Sequence, residues 1–415
     1  MSIAAGRESA LLETVREKIE AGKRLDAADG LALYGFGDLL ALGELAERAR
    51  QLRGGGDEAY FVRNLTLNQT NVCRVKCRFC AFARSAREEG AYTLSPAELA
   101  SEAKRAHELE PFNELHLVNG ENPHVDFAWY LETVRALREA LPGVHLKCYS
   151  ASEIHHMSMI SGLSYAQVLG ELKEAGLESL TGGGAEIFSA RVRKLIAPGK
   201  EPAEAWLEVN RVAHGLGIPT HCTMLYGHVE TLEERVDHLL RLRALQDETN
   251  GFLAFVPFAV HLENTRLDPD IPTTTAVDVL RTIAVSRLLL DNVAHVKAYW
   301  IAMGLPLAQV ALHFGADDLQ GTVGREQVFH AAGARTETEQ TVDRLARYIR
   351  AAGRIPVERD TLYNEFRRWN PVSDTVQEVG RMSMGVRDES VTIDPQTIAV
   401  PARGVGIRSA EKEVS

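Results

Sequence analysis

The sequence predicts an α/β protein built around a (β/α) barrel. From about residue 57 to 325, short apolar runs alternate with amphipathic stretches. Such strand–helix alternation implies a parallel sheet with helices outside it. The chain has 415 residues and 45% hydrophobic content, enough for one large core. A loop with three cysteines directly follows the first apolar run, and loops at the carboxyl ends of barrel strands carry the chemistry of such folds.

Residues 1–56 form an N-terminal helical segment. Leu11, Leu12, Val15 and Ile19, then Leu31, Leu33, Leu39, Leu40, Leu42 and Leu45, recur at helical spacing up to Gly54-Gly55-Gly56. Within the barrel, 57–325, strands are predicted at 60–67, 114–119, 144–149, 177–181, 218–226, 252–257, 294–300 and roughly 309–316. Helices are predicted at 96–108, 126–141, 164–175, 202–215, 231–248 and 274–290. Ser95, Thr231 and Thr274 stand before three of these, where a hydroxyl satisfies orphan N–H groups. The C-terminal segment, 326–415, should hold a helix near 336–352, then the run IPVERDTLY, then a polar, loosely ordered tail.

The net charge is −11, which disfavours a nucleic acid partner. No run approaches 18 apolar residues, so no membrane partner is expected. The N-terminus does not read as a signal peptide, and a cytoplasmic location is the expectation. Five cysteines, an odd number, argue for metal or redox chemistry over a disulfide framework.

Cys73, Cys77 and Cys80 are spaced CxxxCxxC, with Phe79 just before the last. Three thiolates in a short loop can each bind one iron of a 4Fe–4S cubane, leaving the fourth iron open to chelate S-adenosylmethionine. Arg74, Lys76 and Arg78 would favour thiolate over thiol. A structural zinc site wants four ligands, commonly as two pairs. No second pair exists, and Cys148 and Cys222 fall on other predicted strands.

The CxxxCxFC loop resembles that of the radical S-adenosylmethionine superfamily. Leu67-Asn68-Gln69-Thr70-Asn71-Val72-Cys73 resembles the lead-in of the menaquinone and deazaflavin cofactor enzymes. Leu177–Phe188, Ser161–Ser164, Thr223–Thr231, Arg235–Thr249 and Gly315–Val323 look like the aminofutalosine synthase family, over roughly residues 10–365. The resemblance implies a radical (β/α) barrel and S-adenosylmethionine as a consumed cosubstrate. It also implies an external electron donor of the flavodoxin or ferredoxin type. The implied reaction adds the 5′-deoxyadenosyl radical to 3-[(1-carboxyvinyl)oxy]benzoate, with rearrangement and decarboxylation, giving 6-amino-6-deoxyfutalosine for menaquinone biosynthesis. The alternative is a paralogue with another acceptor, or with hydrogen abstraction as in dehypoxanthine futalosine cyclase. The sequence departs from the pattern at Glu121-Asn122, at Cys148-Tyr149-Ser150 and at Leu262.

The same resemblance makes Asn119, Gly120 and Glu121 candidates for the amino group of S-adenosylmethionine; otherwise they are a turn before Pro123. Phe79 joins them as a cofactor-binding candidate. Ser152 and Glu153 could meet the ribose or simply cap a helix. Gly183, Gly184 and Glu186 offer backbone N–H groups and a carboxylate after the fourth strand. Tyr226 could stack, and His228 could bind a carboxylate or move a proton; these two are the catalytic candidates. His145, His155, His156, His221 and His238 read as structural or exposed. Arg235 and Arg241 read as surface ion pairs, and Arg74, Arg78 and Arg84 are equal candidates for the cation facing the benzoate.

Overall fold

The apolar run at 60–67 yields two strands, β1 (Glu58–Val62) and β2 (Asn64–Leu67), which serve different sheets. The computed structural model describes residues 2–369 and 376–378. β2 opens a parallel sheet in which each strand follows its neighbour in sequence: β3 (Glu114–Leu117), β4 (His145–Ser150), β5 (Ser179–Thr181), β6 (Thr220–Tyr226), β7 (Phe252–Ala259) and β8 (His295–Val296).

A short strand, β9 (Asp318–Gly321), closes the ring. It pairs in parallel with β1, Tyr60 opposite Asp318 and Val62 opposite Gly321. It meets the β8 side through a Lys297–Asp318 bridge, where Ala298 N–H donates to Asp318 O at 2.8 Å. Just beyond β9, Thr66 N–H of β2 donates to Val323 O at 2.7 Å. The eighth strand therefore lies later than the apolar run at 309–316. That run is the end of a helix, Leu305–Ala311, whose buried Leu305, Ala308 and Ala311 lie three apart, followed by a turn over 312–315. The run at 294–300 is also shorter than expected, a two-residue strand leading to a helical turn at Trp300–Met303.

The outer helices form where the apolar periodicity places them. Ser95, Ser164 and Thr231 each cap a helix in a reciprocal capping box. The helix Ala276–Leu289 is capped by Thr275 rather than Thr274. The helix Ala151–Ser161, capped by Ser150, was not among the predicted spans. The N-terminal segment is three helices, Ser2–Glu20, Ala27–Tyr34 and Leu39–Leu52, and the third packs on Ala276–Leu289. Among the described residues, no helix is long and apolar enough to cross a membrane.

On its free side β1 carries β10 (Ile355–Arg359) in parallel, followed antiparallel by β11 (Glu365–Trp369) and β12 (Val376–Glu378). From β10 the chain runs under the amino ends of the barrel strands. Arg359 Nε and the Tyr363 hydroxyl both donate to Asp318, at 2.7 and 2.8 Å. Thr361 Oγ1 donates to Glu114 Oε2 at 2.8 Å. Arg359, Thr361, Glu114 and Asp318 are all fully buried, so this crossing seals the lower end of the lumen. Beyond 376–378, the tail expected to be loosely ordered lies outside the described residues.

Candidate active site

One cavity of about 300 Å³ runs from the cysteine loop into the lumen. Its mouth is the loop 68–84, pinned from several sides. Cys73 N–H donates to Arg84 O at 3.0 Å, Arg74 N–H to Glu121 O at 2.9 Å and Arg78 N–H to Ile196 O at 2.7 Å. Lys76 sits at φ +49, and Arg266 donates to the Lys76 and Cys77 carbonyls from across the mouth. Cys73, Cys77 and Cys80 all line the cavity. Cys148 and Cys222 are fully buried elsewhere. Successive strand residues point to opposite faces, so Lys147 facing the lumen turns Cys148 outward, and His221 and Thr223 turn Cys222 outward. Among the described residues, no group of three or more His, Cys, Asp or Glu side chains could hold a single metal ion. The donor set is three thiols and no fourth, which fits a cluster with one open iron and does not fit a four-ligand zinc site.

The cations flanking the cysteines in sequence turn away from the thiols. Arg74 pairs with Glu121 at 2.8 Å, Lys76 bonds the Ser85 hydroxyl and Arg78 is exposed. The cation acting on the thiols is Lys200, which sequence reasoning missed. It lines the cavity and pairs with Glu186 at 2.8 Å. Burial pushes the Cys77 and Cys80 thiols up, and Lys200 opposes that on both. The Ala197-Pro198-Gly199 turn brings it there, with Gly199 lying against the Val75 backbone.

The cavity also collects every cofactor-binding candidate: Phe79, Asn119, Gly120, Glu121, Ser152, Glu153, Gly183, Gly184 and Glu186. Asn119 accepts from Gln69 N–H at 2.5 Å, while its amide Nδ2 is buried without a partner. Gly120 has no room for a side chain, since a Cβ there would strike the Val72 carbonyl oxygen and lie 3.0 Å from Cys73 Cβ. A Cβ on Gly184 would strike the Ser152 hydroxyl. Ser152 Oγ donates to Glu201 at 2.7 Å. Glu153 caps Ala151–Ser161 and accepts from Asn119 N–H at 3.0 Å, so it holds the second-strand loop in place as well as lining the cavity. Burial pushes the Glu121 carboxyl up to about 7 and that of Glu153 to about 8.

Tyr226 and His228 are not brought to the cavity. His221, Thr223 and Leu225 of β6 line it, so alternation sends Tyr226 outward, under the Arg235 guanidinium at 4.8 Å. His228 turns back on its own loop, with Nε2 on Leu225 O at 3.0 Å and Nδ1 2.8 Å from Glu230. Arg235 is not a surface residue. It is buried and paired with Glu230 and Asp278, both at 2.9 Å. Neither it nor Arg241, Arg74, Arg78 or Arg84 lines the cavity; the lining cations are Lys147 and Lys200. Of the three departures, Glu121 and Ser150 face the lumen, whereas Asn122, Cys148, Tyr149 and Leu262 do not.

Three further groups were missed. Phe258, Tyr299 and Phe329 form an aromatic wall with ring centres 5.1 to 5.5 Å apart. Residues 326–332, just beyond β9, lean over the mouth with Glu326, Val328, Phe329 and Ala332 on the cavity. Deep in the lumen, His116, Lys147, His221 and Gln320 form a polar floor. Burial, then the nearby lysines, hold both imidazoles far below their usual range. His221, read from sequence as structural or exposed, has no partner on either ring nitrogen.

Comparison with known proteins agrees with this geometry. The Radical SAM superfamily profile matches residues 67–242, and that of the CofH/MqnC C-terminal region matches residues 249–372. The aminodeoxyfutalosine synthase of Thermus thermophilus is 49% identical over 361 residues, 86% of this chain and 96% of that protein. The aminodeoxyfutalosine synthase of Streptomyces coelicolor is 44% identical, over 87% of this chain and 96% of that protein. Among solved structures, methylornithine synthase superposes with a TM-score of 0.66 at 19% identity, over 83% of this chain and 97% of that one, which supports the barrel fold. An enzyme of the radical S-adenosylmethionine class, the chain belongs to the aminodeoxyfutalosine synthase family.

Proposed function

We propose that this chain adds the 5′-deoxyadenosyl group of S-adenosylmethionine to 3-[(1-carboxyvinyl)oxy]benzoate, with rearrangement and decarboxylation, giving 6-amino-6-deoxyfutalosine for menaquinone synthesis in the cytoplasm. The observation that carries it is the three-cysteine loop without a fourth thiol, opening onto a lumen with an aromatic wall and a cationic floor. Cys73, Cys77 and Cys80 would hold a 4Fe–4S cluster, which, reduced by a flavodoxin- or ferredoxin-type donor, supplies the electron that cleaves S-adenosylmethionine to the reactive radical.

The remaining work falls to the protein: binding, orientation and exclusion of water. Glu121 and the unpartnered Asn119 Nδ2 offer an acceptor and a donor to an amino acid headgroup. The glycines at 183 and 184 leave backbone exposed for the nucleoside, with Phe79 and Ser152 beside them. Glu153 acts through Asn119, fixing its backbone. Phe258, Tyr299 and Phe329 flank the aryl ring and hold it in one orientation. Tyr226 and His228 have no part in this scheme.

The test is anaerobic reconstitution with iron and sulfide, then incubation with S-adenosylmethionine, reductant and the enol ether. A product with the mass of 6-amino-6-deoxyfutalosine is expected. Formation of 5′-deoxyadenosine and methionine alone would retain the radical chemistry and reject the acceptor.

A further inference from the structure

The floor of the lumen holds more positive charge than its own carboxylates balance. Lys147, Lys297 and Arg359 face one another there with Glu114 and Asp318, and all five are essentially inaccessible to solvent. The ion pairs are Lys147–Glu114 and Arg359–Asp318. Lys297 has no carboxylate of its own and donates to the Gln320 amide oxygen at 2.9 Å. Beside these cations stand His116, half-buried with Nδ1 unpartnered, and His221, buried with both nitrogens unpartnered. Buried polar groups are nearly always hydrogen-bonded, and a buried charge without a counter-charge is costly. Burial first, then Arg359 and Lys147, hold the Lys297 ammonium down at about 7 against the pull of Asp318. His116, Lys147, His221 and Gln320 line the blind end of the ligand-sized cavity, and Lys297 stands one hydrogen bond behind Gln320, so the floor leaves one negative charge to be supplied from outside.

We infer that this floor, His116, Lys147 and His221 with Lys297 held behind Gln320, is the subsite for the aryl carboxylate of the acceptor. The inference rests on the acceptor proposed above and adds how that molecule is oriented. Its reacting double bond and its ring carboxylate lie at opposite ends. His116 lies on β3 three residues before Asn119, which follows the strand's end, a reach of at most about 10 Å at ~3.3 Å per residue. A molecule anchored by its ring carboxylate at the floor therefore lays the ring along the aromatic wall and presents the enol ether to the mouth. The arginines considered from sequence alone cannot do this, because none reaches the lumen.

The experiment compares two ligands on two variants of the full-length reconstituted enzyme, read as equilibrium affinity rather than turnover. The ligands are 3-[(1-carboxyvinyl)oxy]benzoate and 2-phenoxyacrylate, which lacks only the ring carboxylate. Wild type should bind the first more tightly by about 30-fold or more, the usual scale for a buried charged contact. Lys297→Met and His221→Leu should each erase most of that difference while leaving the affinity for 2-phenoxyacrylate nearly unchanged. General damage to the barrel would weaken both ligands alike. Equal wild-type affinities, or equal losses for both ligands, would overturn the subsite. Benzoate alone serves as a further probe. It should raise the unfolding temperature of wild type and not of Lys297→Met. That result would uphold the anion site even if the full acceptor gave no product, whereas no stabilisation of wild type would count against the site itself.

Discussion

Gly120 shows how one missing side chain sets the mouth of the lumen. Its backbone lies so close to the cysteine loop that a Cβ would collide with the Val72 carbonyl and crowd Cys73. Neither neighbour is a flexible side-chain end, so the loop itself would have to move. Gly120→Ala should therefore lower iron and sulfide incorporation on reconstitution and destabilise the fold by about 1–3 kcal/mol, as overpacking does. Iron analysis and chemical unfolding check both; full cluster content in the variant would contradict the argument. At this scale the sequence showed the cysteines clearly, because their spacing is local. It did not show Lys200, which a turn over a hundred residues away delivers to the same thiols. Nor did it separate His221 from Tyr226. Both lie on one strand, and which faces inward depends on a parity that an all-buried strand does not display.

The element least visible in sequence was β9. Its residues, Asp-Leu-Gln-Gly, fall outside the predicted strands because Asp318 and Gln320 serve a polar lumen, reversing the usual apolar-in pattern. Strand prediction instead favoured the apolar stretch before it, which is the end of a helix and a turn. β9 is anchored at its start by Asp317, which accepts from Arg287 at 3.0 Å, His295 at 2.9 Å and Val296 N–H at 2.9 Å. Burial works against the Asp317 charge, and Arg287 and His295 overcome it, holding the carboxyl at about 2. A carboxyl held below its unfolded value of about 4 stabilises the fold above that pH. The contribution is lost as pH falls from about 4 toward 2. Asp317→Asn should cost about 3–5 kcal/mol near neutral pH, since it strands a buried guanidinium, and should flatten the acid limb. Urea unfolding across pH checks this; an unchanged acid limb would place that pH dependence on other groups.

For the molecule as a whole, alternation of strands and helices was enough to predict the barrel, but not its underside. Arg359, Thr361 and Tyr363 reach Glu114 and Asp318 from a segment with no periodic signature, more than 240 residues from β3 in the chain. That plug makes the lumen a blind tube, and a blind tube imposes an order in time. Whatever lodges at its end must pass the cysteine loop before a second molecule settles there, and cannot leave until that molecule has gone. The acceptor should thus bind first and S-adenosylmethionine second, with methionine departing ahead of the nucleoside product. In rapid-mixing experiments, enzyme preloaded with S-adenosylmethionine should take up the acceptor more slowly than free enzyme does, and equal rates would mean that a second way into the barrel exists. The same segment that closes the barrel's lower end would then also act as the clock of the reaction.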